Sequence, residues 1–354
     1  MMSNSTVLPP ADVQRVSAVL SRYRDGVNAA LHEVLDRADL GHASFMRYHL
    51  GWEDASGAPV SAGGGKLLRP ALCLLCCEAV GGEPRLAMFA AAALELVHNF
   101  TLIHDDIEDA SDTRHGRDTV WRIAGVPQAI NAGDGMFVLA QRTLLRMADA
   151  GVAPERVLMA SQTLNDACVA LCEGQYRDIG FETRDRVTQA EYEAMIDGKS
   201  GALLGASMAI GAIAGGADAA TVAAFGECGR MLGRAFQIQD DVLGIWGEGA
   251  ITGKPVADDI RSRKRSFPIA WAFETLRGDA ARTMGEIYGS DAITESDVDS
   301  VVAILNEAGA PEVAMQNATR WATVGIAALG PLRLDDDRRR DIEALAAFFV
   351  HRSA

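Results

Sequence analysis

The fold is decided by the stretch Leu94-Glu95-Leu96-Val97-His98-Asn99-Phe100-Thr101-Leu102-Ile103-His104-Asp105-Asp106-Ile107-Glu108-Asp109, in which an apolar segment runs directly into four acids in five residues. On a helix, Asp105 and Asp109 point the same way because they are four residues apart. Such a like-charged pair destabilises a helix by roughly a few tenths of a kcal/mol, and the negative end of the helix dipole disfavours it further. A divalent cation bound between the two carboxylates would make the pair stabilising instead. Clustered carboxylate oxygens suit Mg²⁺, which shares its coordination with waters and substrate phosphates.

A second acid cluster ends another apolar segment, GRAFQIQDDVLG at 233–244, which contains Asp240 and Asp241. Two such helices with level ends could hold one diphosphate between several Mg²⁺ ions. Taken alone, each cluster is equally compatible with a solvated surface. Other acids occur in Asp335-Asp336-Asp337, in Asp258-Asp259, and at Asp297 and Asp299. The first two of these groups precede helices or basic runs and are predicted to be N-terminal caps or solvated surface.

The rest of the chain shows the same helical period and no run of alternating, β-branched segments. We predict one all-α domain over residues 1–354, a large helical bundle of about ten helices, with 1–10 as a disordered lead-in and 51–65 as a loop. The predicted helices are 11–39, 67–80, 85–109, 127–149, 154–178, 189–214, 217–245, 265–285, 296–307, 311–329 and 335–352.

The formal net charge of −15 argues against a nucleic-acid partner or an anionic membrane surface. No secretory signal is visible at the start of the chain. The stretch Ser200–Ala217 carries no charge but is mostly Gly, Ala and Ser, so a buried helix is favoured over a membrane span. We therefore expect no membrane span and a cytoplasmic protein.

The cysteines lie in apolar helical stretches and favour reduced, buried thiols, as expected in the cytoplasm. A metal or redox pair at Cys168 and Cys172 is the alternative, but no further ligand stands nearby in sequence. The six are Cys73, Cys76, Cys77, Cys168, Cys172 and Cys228.

Several basic residues could bind phosphate. Lys66 and Arg69 follow a glycine run, and on a helical turn they would share a face. Arg114-His115-Gly116-Arg117 follows the first acid cluster. Three further lysines stand in apolar or glycine-containing surroundings, and each taken alone reads as a surface residue. They are Lys199, Lys254 and Lys264.

The combined motifs resemble those of the trans-isoprenyl diphosphate synthases, the polyprenyl synthetase family, and most closely its short-chain members. The resemblance spans roughly residues 60–270. The motifs, in order, are GGGKLLRP at 63–70, HDDIED at 104–109, RHG at 114–116, AINAGD at 129–134, GQYRD at 174–178, GKSG at 198–201, FQIQDD at 236–241 and GKPVADDIRSRK at 253–264. The resemblance implies an all-helical bundle around a central cavity and a Mg²⁺-dependent prenyl transfer between an allylic diphosphate (dimethylallyl, geranyl or farnesyl) and isopentenyl diphosphate.

The same resemblance implies roles for individual residues. Two of about three Mg²⁺ ions would bind Asp105 and Asp109, with Asp106 assisting, and a third would bind Asp240, with Asp241 nearby. The allylic diphosphate would be held by Arg114, Lys199 and Lys254. Isopentenyl diphosphate would be held by Lys66, Arg69 and His98. Ser200 and Gln237 would direct oxygen dipoles at the allylic cation, and the predicted substrate-binding set is completed by His115, Gln175, Asp241 and Lys264.

Three positions depart from the family pattern. His115 stands where a second arginine is usual, and histidine is a weaker, pH-dependent partner for a diphosphate. Gly244 replaces the last aspartate of the second acid motif, so metal binding is expected to survive but to weaken. Asp118 stands where proline is common, and this difference has no interpretation.

Product length is predicted from Phe100 and Thr101, which precede Asp105 by five and four residues. Both would face a tunnel below the acid cluster, although Phe100 is equally compatible with ordinary core packing. An aromatic floor without an insertion in the first motif resembles enzymes that make C20 products. We therefore expect geranylgeranyl diphosphate, with farnesyl diphosphate as the next candidate.

Two other functions remain open. A terpene cyclase of the same fold would explain Gly244 but not Lys66 and Arg69, since a cyclase needs no isopentenyl diphosphate site. A non-catalytic subunit of a heteromeric synthase would not need the first acid cluster. The family resemblance further suggests a homodimer.

Overall fold

The computed structural model describes residues 8–60, 65–247 and 256–351. Its first helices are α1 (Pro10–Asp36), α2 (Ala43–His49), α3 (Leu68–Ala79), α4 (Pro84–Glu108), α5 (Val120–Ala124), α6 (Val126–Leu145), α7 (Pro154–Glu182) and α8 (Gln189–Ile196). The remaining helices are α9 (Ala202–Ala214), α10 (Ala219–Trp246), α11 (Asp258–Arg261), α12 (Phe267–Thr275), α13 (Gly278–Gly289), α14 (Glu295–Glu307), α15 (Ala310–Ala328) and α16 (Asp336–His351). The all-α prediction is confirmed.

Local sequence explains where many of these helices start. Proline stands at the first or second position of α1, α4, α6, α7, α12 and α15, where its missing N–H costs nothing. Thr188 and Thr294 form capping boxes at the starts of α8 and α14. In the second box the partner of Thr294 is Asp297, so this acid caps the helix. The Asp335 carboxylate accepts the N–H groups of Asp337 and Arg338, each at 3.0 Å, as predicted for a helix cap.

Three short elements connect the helices. A 3₁₀ turn (Arg146–Ala148) follows α6, and a π turn (Asp197–Gly201) joins α8 to α9. Between α4 and α5, the two-residue strands β1 (Thr113–Arg114) and β2 (Arg117–Asp118) pair antiparallel as a small hairpin. The hairpin and the π turn both lie next to predicted site residues.

The main core surrounds α9. Every residue of α9 from Leu203 to Ala214 is buried, because α9 packs against α3, α7 and α10. The middle of α4 is also buried where it meets α3 and α6. A second, smaller apolar cluster lies beyond the end of α10 and includes Ile245, Ile260, Ile269, Met284 and Val301. The site residues thus lie at the ends of helices whose middles are fixed in the core.

The uncharged stretch Ser200–Ala217 is the buried helix α9 with its flanks, as predicted. One described helix, α4, is long and apolar enough to cross a membrane by length and composition. However, 67% of its apolar window is buried in the fold, as in the core helix of a globular protein.

The structure corrects several predicted boundaries. The sequence pattern missed α2, and the predicted helix 265–285 is broken after Thr275. α1 already begins at Pro10 and Leu8 is buried, so these residues are part of the fold; residues 1–7 lie outside the described part. α3 begins at Leu68 after Leu67 in a left-handed conformation, so Lys66 and Arg69 share no helical face.

The cysteines are free, as expected, and five of the six are buried. Burial raises the pKa of Cys168 to about 12, which keeps this thiol protonated. Cys172 is exposed, so the prediction that all six are buried was wrong at this position.

Candidate active site

The first acid cluster lies where α4 ends. The N–H of Asp109 donates to the carbonyl of Asp105 at 2.8 Å, and Ala110 then turns left-handed. The N–H of Ser111 donates back to the carbonyl of Asp106 at 2.9 Å, which closes a Schellman motif. The chain therefore turns away directly after the acids and leaves their carboxylates at the helix end.

The cluster is electrostatically costly without a cation. Burial is the largest of the causes that raise the pKa of Asp105 to about 6; Lys199 opposes the rise, and Asp109 and Glu108 add to it. Within the described ranges, no three His, Cys, Asp or Glu side chains converge into a ready-made metal cage. This donor set fits Mg²⁺, which binds through one or two carboxylates together with substrate phosphates.

Asp106 differs from its neighbours because it is 1% exposed and already paired. Nε of Arg114 lies 2.9 and 3.0 Å from its two carboxylate oxygens, and Nη2 lies 2.7 Å from Oδ1. Burial raises the pKa of Asp106, while Arg114 lowers it. This two-pronged pair anchors the β1–β2 hairpin to the end of α4.

The π turn delivers Lys199 to the first cluster. Its Nζ lies 2.5 Å from a carboxylate oxygen of Asp178 on α7. Burial alone would lower the pKa of Lys199, but the charges of Asp178 and Asp105 outweigh it and raise the pKa. The turn approaches α7 closely at Gly174, where an added Cβ would lie 2.3 Å from the backbone nitrogen of Lys199. The glycine of the GQYRD motif therefore makes room for the lysine of the GKSG motif.

The second acid cluster contains one deeply buried carboxylate. Asp241 is 1% exposed and accepts hydrogen bonds from the Tyr192 hydroxyl at 2.5 Å, the Phe267 N–H at 2.9 Å and the Gln237 amide at 3.1 Å. Asp241 thus ties α8, α10 and α12 together, and the neighbouring Asp240 is the partly exposed member of the pair.

Ser200 and Gln237 form one hydrogen-bonded unit. The Ser200 hydroxyl donates to Oε1 of Gln237 at 2.6 Å, and the Gln237 amide in turn donates to Asp241. The two predicted oxygen dipoles are therefore held together between the π turn and α10.

Lys264 links the two acid clusters. Its Nζ lies 3.6 Å from Asp241 and 4.0 Å from Asp259. Burial acts to lower the pKa of Lys264, but Asp259, Asp241, Asp178 and Asp109 together raise it well above its ordinary value. The charges of Asp109 at the end of α4 and of Asp241 on α10 both act on this one ammonium group. The two clusters therefore face a common space.

The predicted basic site lies beside α4. Nε of Arg69 is buried and has no hydrogen-bond partner within the described structure. Burial lowers the pKa of Arg69 to about 10, with Glu95 opposing the shift. Burial, Arg69 and Arg114 also lower the pKa of His98, so its imidazole is neutral. Lys66 stands in the segment before α3, with Nζ 5.5 Å from the centre of the Phe348 ring on α16.

Comparison with known proteins decides the family. The family model described as Polyprenyl synthetase matches residues 55–305. The chain belongs to the polyprenyl synthetase family. It is 38% identical to a geranylgeranyl diphosphate synthase of Mycobacterium tuberculosis over 97% of this chain and 95% of that protein. It is 36% identical to a (2E,6E)-farnesyl diphosphate synthase of Mycobacterium bovis over 96% of this chain and 94% of that protein.

The fold is shared as well. A crystal structure of a polyprenyl synthetase from Streptomyces coelicolor A3(2) superposes with a TM-score of 0.88 at 39% identity, covering 94% of this chain and 99% of that one. The resemblance to the short-chain trans-isoprenyl diphosphate synthases is confirmed, and with it the all-helical fold.

Other predicted residues of this polyprenyl synthetase site are placed as follows. The side-chain amide of Gln175 donates to Glu108 at 2.7 Å, so it contacts the first acid cluster. Phe100 packs edge to face on Phe137 with ring centres 5.1 Å apart. Thr101 is buried one turn before Asp105 and donates to the carbonyl of His98 at 2.7 Å. Lys254 lies outside the described residues.

The departure at Gly244 has a spatial explanation. A Cβ at Gly244 would lie 2.4 to 2.8 Å from the carboxylate atoms of Asp259, so that carboxylate occupies the space where a side chain at 244 would begin. Asp259 is 6% exposed, so its prediction as a cap or solvated surface acid was wrong. Two aspartates before a basic run looked like a surface feature in sequence, but the second of them, Asp259, is buried and pairs with Lys264.

The departure at His115 falls on the hairpin turn. His115 has φ of 52°, a left-handed conformation. Burial, Arg114 and Arg117 lower its pKa, while Asp106 opposes them. A neutral imidazole therefore stands where the family usually has a charged guanidinium.

Sequence reasoning missed three groups near the site: Glu95, Asp178 and Tyr192. Two of these carried a usable signal: Glu95 interrupts an apolar run at 90–97, and Asp178 is the last residue of the GQYRD motif. Tyr192 carried none, because its hydrogen-bond partner Asp241 comes from a distant part of the chain.

Proposed function

We propose that this protein is a Mg²⁺-dependent short-chain prenyltransferase that joins isopentenyl diphosphate to an allylic diphosphate. One observation carries the proposal: acids at the ends of α4 and α10 face a common space around Lys264, and a separate basic site lies beside α4 at Arg69 and His98. Two anionic substrates need two such sites, one supplied with metal and one with basic side chains.

At the first site, Asp105, Asp109 and Asp240 would hold about three Mg²⁺ ions, a number expected from the family. When bound, these ions supply Lewis-acid stabilisation of the leaving diphosphate. Lys199 adds a fixed positive charge beside Asp105, and Lys264 adds another between the clusters. Ser200 and Gln237 place oxygen atoms where positive charge develops on the allylic carbon.

At the second site, Arg69 and His98 would bind the diphosphate of isopentenyl diphosphate, with Lys66 covering it from the segment before α3. This would hold the double bond next to the allylic carbon, so that it attacks the allylic cation left when the carbon–oxygen bond breaks and pyrophosphate departs. The proton lost from the adduct passes to the released pyrophosphate.

The test is an assay with Mg²⁺, isopentenyl diphosphate and each allylic primer, with products identified by mass spectrometry. We expect elongated prenyl diphosphates from the purified chain alone, which a non-catalytic subunit would not give. Hydrocarbon or alcohol formed from farnesyl diphosphate without isopentenyl diphosphate would instead support the terpene cyclase.

We propose geranylgeranyl diphosphate as the main product. The similar mycobacterial proteins are named for C20 and C15 products, so similarity alone leaves both open. The floor of the chain tunnel would be Thr101, directly below Asp105 on α4, together with the ring of Phe100 against Phe137.

Phe100→Ala removes one ring of this floor, and we expect products longer by one or more five-carbon units because the growing chain gains space. Phe89→Ala is the matched control, since Phe89 lies on the same helix far from the acids and packs under Arg146 at 4.0 Å. Mass spectrometry of the products decides: an unchanged product length in Phe100→Ala contradicts the floor.

We further propose a cytoplasmic homodimer without a membrane span. Large apolar side chains on one face of α7 are strongly exposed: Leu158 by 60%, Val169 by 72% and Tyr176 by 74%. Their spacing of 11 and 7 residues keeps them on one side of the helix. Val138 and Leu145 on α6 are exposed by more than half as well. A second copy of the chain is the occupant that would bury this surface.

A further inference from the structure

The carboxylate of Asp241 is surrounded by groups of the protein itself. Oδ2 accepts the Tyr192 hydroxyl at 2.5 Å and the Phe267 N–H at 2.9 Å. Oδ1 accepts the Gln237 amide at 3.1 Å and lies 3.6 Å from Nζ of Lys264. A carboxylate offers about four acceptor positions, and these four groups occupy them. Asp241 is therefore committed to protein groups, although it belongs to the second acid cluster.

The Tyr192 side chain is held firmly at this contact. It is fully buried on α8, and its ring packs edge to face on Phe267 with ring centres 5.7 Å apart. Its hydroxyl makes the shortest of the four contacts to Asp241, as expected for an O–H group that donates to a charged oxygen. Tyr192 thus fixes the Asp241 carboxylate from the helix that leads into the π turn.

The charge of Asp241 sets the orientation of the Gln237 amide. An ionised carboxylate only accepts hydrogen bonds, so the amide turns its nitrogen toward Asp241 and its oxygen away from it. That oxygen, Oε1, accepts the Ser200 hydroxyl at 2.6 Å. Gln237 is partly exposed, whereas Asp241 is 1% exposed. The amide oxygen therefore lies on the side of the π turn, away from the buried acid.

We propose that Tyr192 and Asp241 are positioning residues, which hold the oxygen of the Gln237 amide toward the reacting allylic carbon. The inference rests on the proposed function, in which Ser200 and Gln237 stabilise the positive charge that develops as the allylic carbon–oxygen bond breaks. An amide turned the other way would present its N–H groups to that charge and destabilise it. Of the two neighbouring acids, Asp240 then binds metal and Asp241 orients the amide.

The experiment measures the rate of prenyl transfer in a single turnover of the full-length enzyme, together with the Mg²⁺ concentration that gives half-maximal activity. Asp241→Asn offers N–H groups as well as an oxygen, so the Gln237 amide can turn over. The rate should fall about a hundredfold, as it does when one oriented dipole is lost from an active site. The half-maximal Mg²⁺ concentration should not change. Loss of a metal ligand would raise that concentration, and such a rise in Asp241→Asn overturns the proposal.

Tyr192→Phe removes only the hydroxyl and should slow the same step at least about threefold, because a hydrogen bond to a charged group is lost. Tyr288→Phe is the matched control. Tyr288 is also buried, on α13, and its hydroxyl has no hydrogen-bond partner within the described structure. This variant should keep the wild-type rate. A wild-type rate in Tyr192→Phe, even with lowered thermal stability, or equal slowing in both variants overturns the proposal.

The double variant Tyr192→Phe with Asp241→Asn tests whether Tyr192 acts through Asp241. If it does, the double variant should be no slower than Asp241→Asn alone, whereas independent losses multiply and would overturn the proposal. Should Asp241→Asn not fold, the comparison of Tyr192→Phe with Tyr288→Phe decides. A wild-type enzyme that forms no prenyl diphosphate would count against the proposed function itself. An active wild type with an unchanged Tyr192→Phe variant would count only against this inference.

Discussion

At the scale of single residues, the acids proposed to bind metal are also a source of instability. Asp105 has its pKa raised to about 6 chiefly by burial, against an ordinary value of 3.8. A raised carboxyl pKa means that the fold prefers the protonated form. The resulting stabilisation is complete below about pH 4 and is lost as the pH rises through 6.

Asp105→Asn should therefore abolish activity while it raises the stability of the metal-free protein at pH 7. We expect a gain of about 1 to 3 kcal/mol, since each tenfold change in the ionisation constant corresponds to about 1.4 kcal/mol. Denaturant unfolding in EDTA at pH 7 and at pH 4 measures it. The difference between variant and wild type should shrink at the lower pH, and a variant that is less stable at pH 7 would contradict the argument.

Gly244 provides the second prediction at this scale. Gly244→Asp restores the family motif in sequence, yet we expect it to lower kcat and stability, because its Cβ would collide with the Asp259 carboxylate 2.4 Å away. Gly226→Ala on the same helix is the control, since its Cβ would meet Ala209 at an ordinary 3.6 Å. Kinetics and thermal unfolding of both variants decide; an activity gain in Gly244→Asp would show that position 244 itself needs the acid.

At the scale of elements, the π turn between α8 and α9 depends on close contact with α7. Gly174→Ala should lower stability by about 1 to 3 kcal/mol, as overpacking does, and should lower kcat because Lys199 shifts. Gly180→Ala is a control on the same helix: nothing lies within 4 Å of its added Cβ, and it should stabilise α7 by about 0.5 to 1 kcal/mol. Equal effects of the two substitutions on kcat would exclude a positioning role for Gly174.

The elements also show how far the sequence predicts this structure. Long helices were predicted because their apolar period is sustained: α4, α7 and α10 each run for 25 residues or more. The seven-residue α2 was missed because it is too short for a period to be seen, and its position depends on the hairpin. The π turn has no local signal either; it lies where the backbone of Lys199 approaches Gly174 on α7.

The site divides in the same way. The acids of Asp105–Asp109 and Asp240–Asp241 were found because each cluster interrupts an apolar run. Asp259 was predicted wrongly, because an acid before basic residues resembles a surface cap in sequence. Only the structure shows that it is buried against Gly244. Tyr192 could not be found, because its partner Asp241 lies on α10.

At the scale of the whole molecule, the exposed apolar face of α7 predicts association. Light scattering after gel filtration should give about twice the chain mass of 37.6 kDa. Val169→Lys should weaken the dimer at least about tenfold, because it places a charge in an apolar interface. Val324→Lys on α15, where Val324 is 45% exposed, should not. A monomeric wild type, or equal behaviour of the two variants, would contradict the proposed interface.

The contact between Gly244 and Asp259 has a consequence for how genomes are searched. A scan for the family's second acid motif reads this chain as one carboxylate short and ranks it as degenerate. In three dimensions a carboxylate from fifteen residues further along the chain stands at that place. Asp259 belongs to a different motif, GKPVADDIRSRK at 253–264, so its place beside position 244 is visible only in the coordinates, and a search for such sites has to compare positions in space as well as motifs in sequence.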